Sequence, residues 1–441
     1  MSMLYHIKTY GCQMNHYDSE RIEDLLAPLG YKKSDRPEDS DLVILNTCHI
    51  REKASEKMYS DLGRLSKYKE NKIKSGSDLK IVVTGCVAQA EGEQIIKRNR
   101  DVDFVLGPQS YHKITELLNK KNQEKLHNFF PKESKFDYFP KTETKNISAF
   151  VTIQEGCDKF CSFCVVPYTR GPEFSRTVNE IVYEIKHLSN QGVREVTLLG
   201  QNVSDYKGMY QKDGKLEKLE LSKLIDKISD IDGINRIRYI TSHPSDISSK
   251  LIHEHKTNMK LMPYLHLPIQ SGSDRILKKM NRGYTQKHYV DIVTKIKEVR
   301  KDFAVTSDFI VGFPGETDDD FLQTLNLTDK VDFAASYSFK YSPRPGTPSS
   351  LLKDEVPESV SNKRLQILQK KLDESQKKFN NSFVGKKLSV LFEKRGKKSN
   401  QFVGRSQYLQ PVHVNSDESI IGKILDIKIN KVEAFSLHGE I

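Results

Sequence analysis

The sequence predicts an α/β protein in three parts: an N-terminal doubly wound parallel sheet, a central partial (β/α)6 barrel and a small C-terminal antiparallel β-barrel. Three observations carry this prediction. Short apolar runs alternate with helical patterns over the first 118 residues, six further strand–helix alternations follow, and about the last 60 residues hold short strands without helices. At 441 residues the chain exceeds one ordinary domain. Boundaries fall at 1–118, a linker at 119–146, a core at 147–377 and a final domain at 378–441.

The first part opens with an apolar run from Met3 to Thr9 that ends at Gly11 and Cys12, and a helical pattern over Asp18–Leu29 follows. Asp41 to Cys48 reads as a buried strand and Ile50 to about Lys69 as a charged helix. Ile81 to Cys86 repeats the strand-then-cysteine pattern, and Asp103–Gly107 supplies a fourth strand. Parallel strands joined by right-handed crossovers expose their carboxyl ends along one edge. Cys12, Cys48 and Cys86 each sit just past such an end, so residues far apart in sequence are expected to converge.

Leu118 to Asn146 is polar, Lys-rich and broken by Pro131 and Pro140, which reads as a linker or surface excursion. Barrel strands are expected at Ala149–Gln154, Glu195–Leu199, Arg236–Thr241, Tyr264–Ile269, Val305–Val311 and Ala334–Lys340, with helices such as Val178–Asn190, Lys218–Ile231 and Gln286–Val299 between them. The proline-rich Ser342–Pro348 ends the series, and a charged helix spans about Ser359–Asn380. The tail strands are Leu388–Phe392, Gln401–Val403, Gln410–Val414 and Gly422–Ile429.

Composition narrows the function. Hydrophobic residues make up 37% and charged residues 29%, and no run approaches the roughly 20 apolar residues of a spanning helix. The N-terminus lacks a signal peptide's basic start and apolar run, so a soluble cytoplasmic protein with no membrane partner is expected, a monomer by default. Lys and Arg number 70 against 59 Asp and Glu, a net +11 that slightly favours a polyanionic partner. There are six cysteines: three scattered over the first 90 residues, and Cys157, Cys161 and Cys164 clustered. In a reducing cytosol such cysteines are more often metal ligands or catalysts than disulfides.

The cluster has the spacing C-x3-C-x2-C on the loop after the first barrel strand. Three thiolates can hold three irons of a cubane and leave the fourth open. Structural zinc normally closes with four ligands, and neither a fourth cysteine nor a nearby histidine completes this set. The motif resembles the radical S-adenosylmethionine (SAM) enzymes. That resemblance implies SAM chelating the open iron, and one electron from the cluster cleaving its sulfonium to a 5′-deoxyadenosyl radical. It places Phe163 near the cofactor's adenine, Gly200, Gln201 and Asn202 near its amino group, and the Gly315 turn within Asp308–Glu316 beside the adenine. Arg170 and Arg176 are expected to reach phosphate or the cofactor carboxylate.

Cys12, Cys48 and Cys86 then make a second triad, and two such clusters on one chain resemble the methylthiotransferases. Tyr10-Gly11-Cys12-Gln13-Met14-Asn15 with Tyr17-Asp18-Ser19-Glu20, Asn46-Thr47-Cys48 and Thr84-Gly85-Cys86 look like that family's N-terminal domain. Phe402-Val403-Gly404-Arg405 looks like part of a TRAM-type RNA-binding barrel. The resemblance implies two [4Fe-4S] clusters bound by all six cysteines, SAM as cofactor, and a flavodoxin-like electron donor.

Cys12–Asn15 and Cys48–Ala54 look most like family members that methylthiolate C2 of N6-isopentenyladenosine beside the tRNA anticodon. Such a substrate makes the anticodon stem-loop a partner. From Asn381 onward ten Lys and Arg face six Asp and Glu, with Lys394, Arg395, Lys397 and Lys398 close together and Arg405 nearby. Basic charge with exposed aromatics suits RNA. Pro172 and Phe174 depart mildly from the family pattern. The alternatives are methylthiolation of threonylcarbamoyladenosine or of a ribosomal-protein aspartate and, outside enzymes, an RNA-binding iron–sulfur electron carrier or redox sensor.

Overall fold

A computed structural model describes residues 3–49, 52–119, 124–131 and 133–441, with the side chains of 52–54 excepted. Ile50 and Arg51 of the family-like run, and residues 120–123 and 132 of the expected linker, lie outside the described residues. The chain divides into two compact units: Met1–Glu143 with Glu155–Asp158 and Val165–Glu173, and Thr144–Gln154 with Lys159–Cys164 and Phe174–Ile441.

The first unit holds β1 (Leu4–Thr9), α1 (Gln13–Leu26), β2 (Lys32–Lys33), β3 (Leu42–Thr47), α2 (Glu52–Lys74), β4 (Lys80–Gly85), α3 (Cys86–Glu91), α4 (Glu93–Arg98), β5 (Phe104–Leu106), α5 (Ile114–Asn119) and β6 (Leu126–His127). The strands pair in parallel in the order β2-β1-β3-β4-β5-β6. Every residue of β3 is buried, which is why it reads as an unbroken apolar run. Its period of two splits the core. Val43 and Leu45 pack with Met58, Leu62 and Leu65 of α2, while Leu42 and Ile44 pack with Ile22, Leu25 and Leu26 of α1.

The sheet is wider than the four strands expected. Two-residue strands are too short to show a pattern, so β2 and β6 left no signal. β6 lies inside the expected polar linker, which is therefore not simply a surface excursion: it adds a sheet edge and carries the buried Lys135.

Next along the chain come β7 (Ser148–Thr152), β8 (Gln154–Glu155), α6 (Val166–Thr169), β9 (Phe174–Ser175), α7 (Val178–Asn190) and β10 (Glu195–Leu199). The second unit continues with β11 (Lys207–Lys212), β12 (Lys215–Glu220), α8 (Leu221–Ser229), β13 (Arg236–Tyr239), α9 (Ser249–Thr257), β14 (Tyr264–His266), α10 (Asp274–Lys279), α11 (Gln286–Val299), β15 (Ala304–Val311), α12 (Asp318–Val331), β16 (Ala335–Lys340) and α13 (Glu358–Asn381).

All six expected barrel strands are present, as parallel sheets β13-β10-β7 and β14-β15-β16. A bridge between Ile237 and Leu261 links them: Ile237 N donates to Lys260 O at 2.7 Å and Met262 N to Ile237 O at 3.0 Å. α7 and α11 match their expected bounds. The helix expected from Lys218 starts only at Leu221, because Lys215–Glu220 is a strand paired with β11. The Asp213-Gly214 turn, both residues at positive φ, forces that hairpin.

Alternation along the strands gives the arc two faces. Val196, Ile237, Leu265, Val305 and Phe309 pack with helix residues such as Ile185, Ile292 and Leu327 in the largest core. The other face starts with Ser148, Glu195, Arg236, Arg238, Tyr264 and Ala304, and the C-terminal barrel covers this end. Arg236 donates to Arg405 O and Ser389 Oγ, each at 2.9 Å. Arg238 donates to Gln407 O at 2.8 Å, Ser406 O at 2.9 Å and Glu195 Oε1 at 2.9 Å. Tyr264 and Ala304 pack into the barrel's own core with Val390, Phe392 and Val412.

That barrel closes in the order β17-β18-β19-β21-β20, from β17 (Lys387–Arg395), β18 (Gln401–Ser406), β19 (Pro411–Asn415), β20 (Ile424–Val432) and β21 (Leu437–Glu440). It is not wholly antiparallel as expected: β19 and the unanticipated β21 run parallel, an arrangement that closes a five-stranded sheet. No helix among the described residues is long and apolar enough to cross a membrane.

His255 of α9 is buried in the arc's core, bonded through Nε2 to Tyr239 Oη at 2.7 Å and stacked edge-on to Phe303. Burial, aided by Arg300, pulls its pKa down from 6.5 to about 3. A depressed histidine contributes stability that is full above its unfolded value and is lost as pH falls below about 6.5, because the unfolded chain takes the proton first. Urea denaturation across pH 6.5 to 4 is expected to show His255→Phe with a shallower acid slope, by about 1.4 kcal/mol per pH unit at most.

Candidate active site

Cys12, Cys48 and Cys86 follow β1, β3 and β4, and none of the six cysteines is in a disulfide. Two glycines permit the approach. A Cβ on Gly11, at φ +111°, would stand 2.1 Å from Cys48 Cβ. One on Gly85, at φ +93°, would stand 2.3 Å from Thr47 O. The family-like polar residues hold the loops in register. Asn15 Nδ2 donates to Asn46 Oδ1 at 3.1 Å and Thr47 O at 2.9 Å, Asn46 Nδ2 donates to Asn15 O at 2.8 Å, and Thr47 Oγ1 donates to Thr84 O at 2.6 Å.

The triad is electrostatically biased. A hydrogen bond with Cys48 draws the Cys12 thiol down to about 6 against the effect of burial, with help from Arg170 and the backbone of Met14 and Asn15 at the start of α1. Burial pushes the Cys86 thiol up, and Arg170 opposes that with its charge and a hydrogen bond. Arg170 is only 3% exposed. Its guanidinium is buried and donates to Asp18 Oδ2 at 2.7 Å and Glu155 Oε1 at 3.1 Å. Lys135 completes the quartet, 2.7 Å from Glu155 Oε1 and 3.3 Å from Asp18 Oδ1. Tyr111 Oη also donates to Asp18, at 3.1 Å. Two cations and two anions cancel, which is how four charges tolerate full burial.

Arg176 is engaged with Glu184 Oε2 at 2.7 Å and Thr152 O at 2.8 Å. Both arginines are thus engaged with carboxylates of the chain itself.

On the second cysteine loop, Cys157 belongs to the first unit and Cys161 and Cys164 to the second. Cys157 N donates to Gly171 O at 3.3 Å. Cys161 Sγ accepts from Arg282 Nη1 at 3.2 Å, and the buried Arg282 also donates to Pro268 O at 2.9 Å and Tyr284 Oη at 2.8 Å. A lone arginine in an unremarkable loop carries no sequence signal, so this partner was missed. Phe163 packs with Ile310 and Tyr341 against Ile276, Met280 and Phe313.

Gly200 lets Gln154 approach: Gln201 N and Asn202 N donate to Gln154 Oε1 at 3.1 and 3.0 Å, and a Cβ on Gly200 would meet that oxygen at 2.6 Å. Asn202 Nδ2 donates to Asp246 at 2.7 Å. Gly315, at φ +77°, donates to Asp354 O at 2.6 Å, while Glu316 turns inward to Arg364 at 2.7 Å. On the C-terminal barrel Lys394, Arg395, Lys397 and Lys398 are exposed. Arg395 lies over Phe402, and half-buried Arg405 donates to Leu409 O at 3.1 Å.

Among the described residues no group of three or more His, Cys, Asp and Glu side chains is arranged to hold a single metal ion. A cubane poses a different demand, one thiolate on each of three iron corners. Two sets of three cysteines outside any disulfide suit that donor chemistry.

Residues 4–107 match the uncharacterized protein family UPF0004, residues 151–328 the Radical SAM superfamily and residues 381–441 the TRAM domain. In fold the chain resembles the radical S-adenosylmethionine methyltransferase TsrM from Kitasatospora setae, with TM-score 0.58 at 13% identity over 80% of this chain and 77% of that one. The protein is a radical SAM enzyme, a class that works with SAM and a [4Fe-4S] cluster.

Full-length relatives include the tRNA-2-methylthio-N(6)-dimethylallyladenosine synthases of Rickettsia rickettsii (strain Sheila Smith), 49% identical over 100% of both chains, and of Maricaulis maris (strain MCS10), 51% identical over 99% of this chain and 96% of that one. The chain belongs to the tRNA-2-methylthio-N(6)-dimethylallyladenosine synthase family.

Replacing Lys135 by Met leaves Asp18 and Glu155 to share one cation. Denaturant titration is expected to show a loss of about 3–5 kcal/mol in the first unit.

Proposed function

We propose that this enzyme methylthiolates C2 of N6-isopentenyladenosine beside the anticodon of tRNA. The observation that carries the reading is the end-to-end match, at about half identity, to relatives bearing that name. The cysteine inventory supports it: all six are consumed by two triads of the same valence.

Residues 1–118 serve as the sulfur-supplying domain, 147–377 as the radical core and 378–441 as the RNA grip, with 119–146 joining them. Cys157, Cys161 and Cys164 hold one [4Fe-4S] cluster and Cys12, Cys48 and Cys86 a second. When bound, these groups and SAM supply a radical able to open an unactivated aromatic C–H bond, and the sulfur and methyl group that replace the hydrogen. The chain's own part is to hold and orient. Arg282 offsets thiolate charge at Cys161. Gln154 shapes the backbone of Gly200, Gln201 and Asn202 for the cofactor's amino group, and Phe163 with the Gly315 turn flanks its adenine. Lys394, Arg395, Lys397, Lys398 and Arg405 grip the phosphate backbone of the anticodon stem-loop. A flavodoxin-like protein supplies electrons, and the enzyme works as a monomer in the cytoplasm.

Anaerobically purified protein is expected to contain about eight iron and eight sulfide per chain. Replacing Cys12, Cys48 and Cys86 by Ala should leave about four of each, preserve 5′-deoxyadenosine formation and abolish the methylthiolated nucleoside. Eight irons retained in that variant would refute the ligand assignment. Replacing Lys394, Lys397 and Lys398 by Ala is expected to weaken tRNA binding and lower the slope of log affinity against log salt by about 1 for each phosphate no longer neutralised.

A further inference from the structure

The covered face of the arc continues beyond the C-terminal barrel, where two of its aromatic side chains are exposed. His266, Thr306, Asp308 and Ile310 lie on it, since their neighbours Leu265, Val305, Phe309 and Val311 point into the opposite core. On the edge strand β16, Tyr337 pairs with Asp308 and Phe339 with Ile310. Register partners in a parallel sheet share a face. Tyr337 is 62% exposed and Phe339 41% exposed, beside β15, most of which is buried. Two aromatic rings standing open at the carboxyl end of barrel strands call for an occupant.

The two pairs differ in character. Asp308 is held by His266, whose Nε2 lies 3.4 Å from Oδ2 and whose Nδ1 is bonded to Thr306 Oγ1 at 3.0 Å. The Asp308–Tyr337 pair therefore offers an oriented acceptor beside an aromatic ring. Ile310–Phe339 is purely apolar, and Ile310 packs in the same cluster as Phe163 of the cysteine loop. One polar and one apolar pair, side by side, match an adenine that carries both an N6–H and a branched hydrocarbon.

We propose that this patch seats the target base: Tyr337 stacks on the adenine, Asp308 accepts from its N6–H, and Ile310 with Phe339 receives the dimethylallyl group. The proposal rests on the substrate read above. It makes Phe339 the residue that distinguishes a prenylated adenosine from a plain one, while the basic residues of the C-terminal barrel hold both RNAs alike.

Fluorescence anisotropy with the full chain tests it, using two anticodon stem-loop RNAs of one sequence that carry N6-dimethylallyladenosine or adenosine at the reacting position. The unsubstituted chain should prefer the prenylated RNA. Phe339→Ser should reduce that preference by about tenfold, with Phe339→Leu keeping most of it. Tyr337→Ala and Asp308→Asn should weaken both RNAs together. Because Phe339 and Tyr337 are exposed, their variants are expected to fold, and unchanged circular dichroism and urea midpoints verify it for all four variants. A preference that survives Phe339→Ser overturns the proposal and leaves the substrate reading intact. No preference in the unsubstituted chain sinks the substrate reading first, and the proposal with it.

Discussion

Parallel pairing governs this molecule. Once neighbouring strands run the same way, every loop that follows them must emerge on one edge, whatever the distance in sequence. Thiols 36 and 38 residues apart along the chain thereby become neighbours of β1, β3 and β4. The same rule sets the C-x3-C-x2-C loop at the end of β7 and the backbone of Gly200–Asn202 at the end of β10. Chemistry gathers at these edges because the strands beneath are locked by buried aliphatic packing on both faces.

Bringing polar loops together inside a protein costs solvation, and the structure offsets this locally. Around the first triad, the side chains of Asn15, Asn46 and Thr47 bond one another and the main-chain oxygens of Asn15, Thr47 and Thr84. Beneath them Arg170, Lys135, Asp18 and Glu155 cancel in charge. A buried arginine or lysine with neither an anion nor a set of hydrogen-bond acceptors around it would be untenable. The arrangement also explains why so much of the Tyr17-Asp18-Ser19-Glu20 stretch is polar yet enclosed, in a helix where amphipathic logic alone would place it outside.

Most of the architecture could be read from pattern. Buried strands such as Leu42–Thr47 announce themselves by continuous apolar character, and α7 and α11 by period and caps. The cysteine spacing carried the chemistry. What pattern could not convey was anything set by a distant partner. Lys135 looked like one more linker charge, and only the folded chain brings it to Asp18 and Glu155. Arg170 and Arg176 looked available and are taken. Arg282 had no local signature, since its meaning comes from Cys161, 121 residues away. Helical periodicity also masked the Asp213-Gly214 hairpin, where the turn residues were the better guide.

The hold that Arg236 and Arg238 keep on main-chain oxygens of Arg405, Ser406 and Gln407 has a mechanical meaning. A domain tethered by a flexible hinge samples many poses, and whatever it carries arrives blurred. Here the C-terminal barrel is bolted to the floor of the arc through main-chain acceptors, which no side-chain substitution in that barrel can remove. It acts as a jig, so any ligand held on it inherits a fixed bearing toward the strand ends.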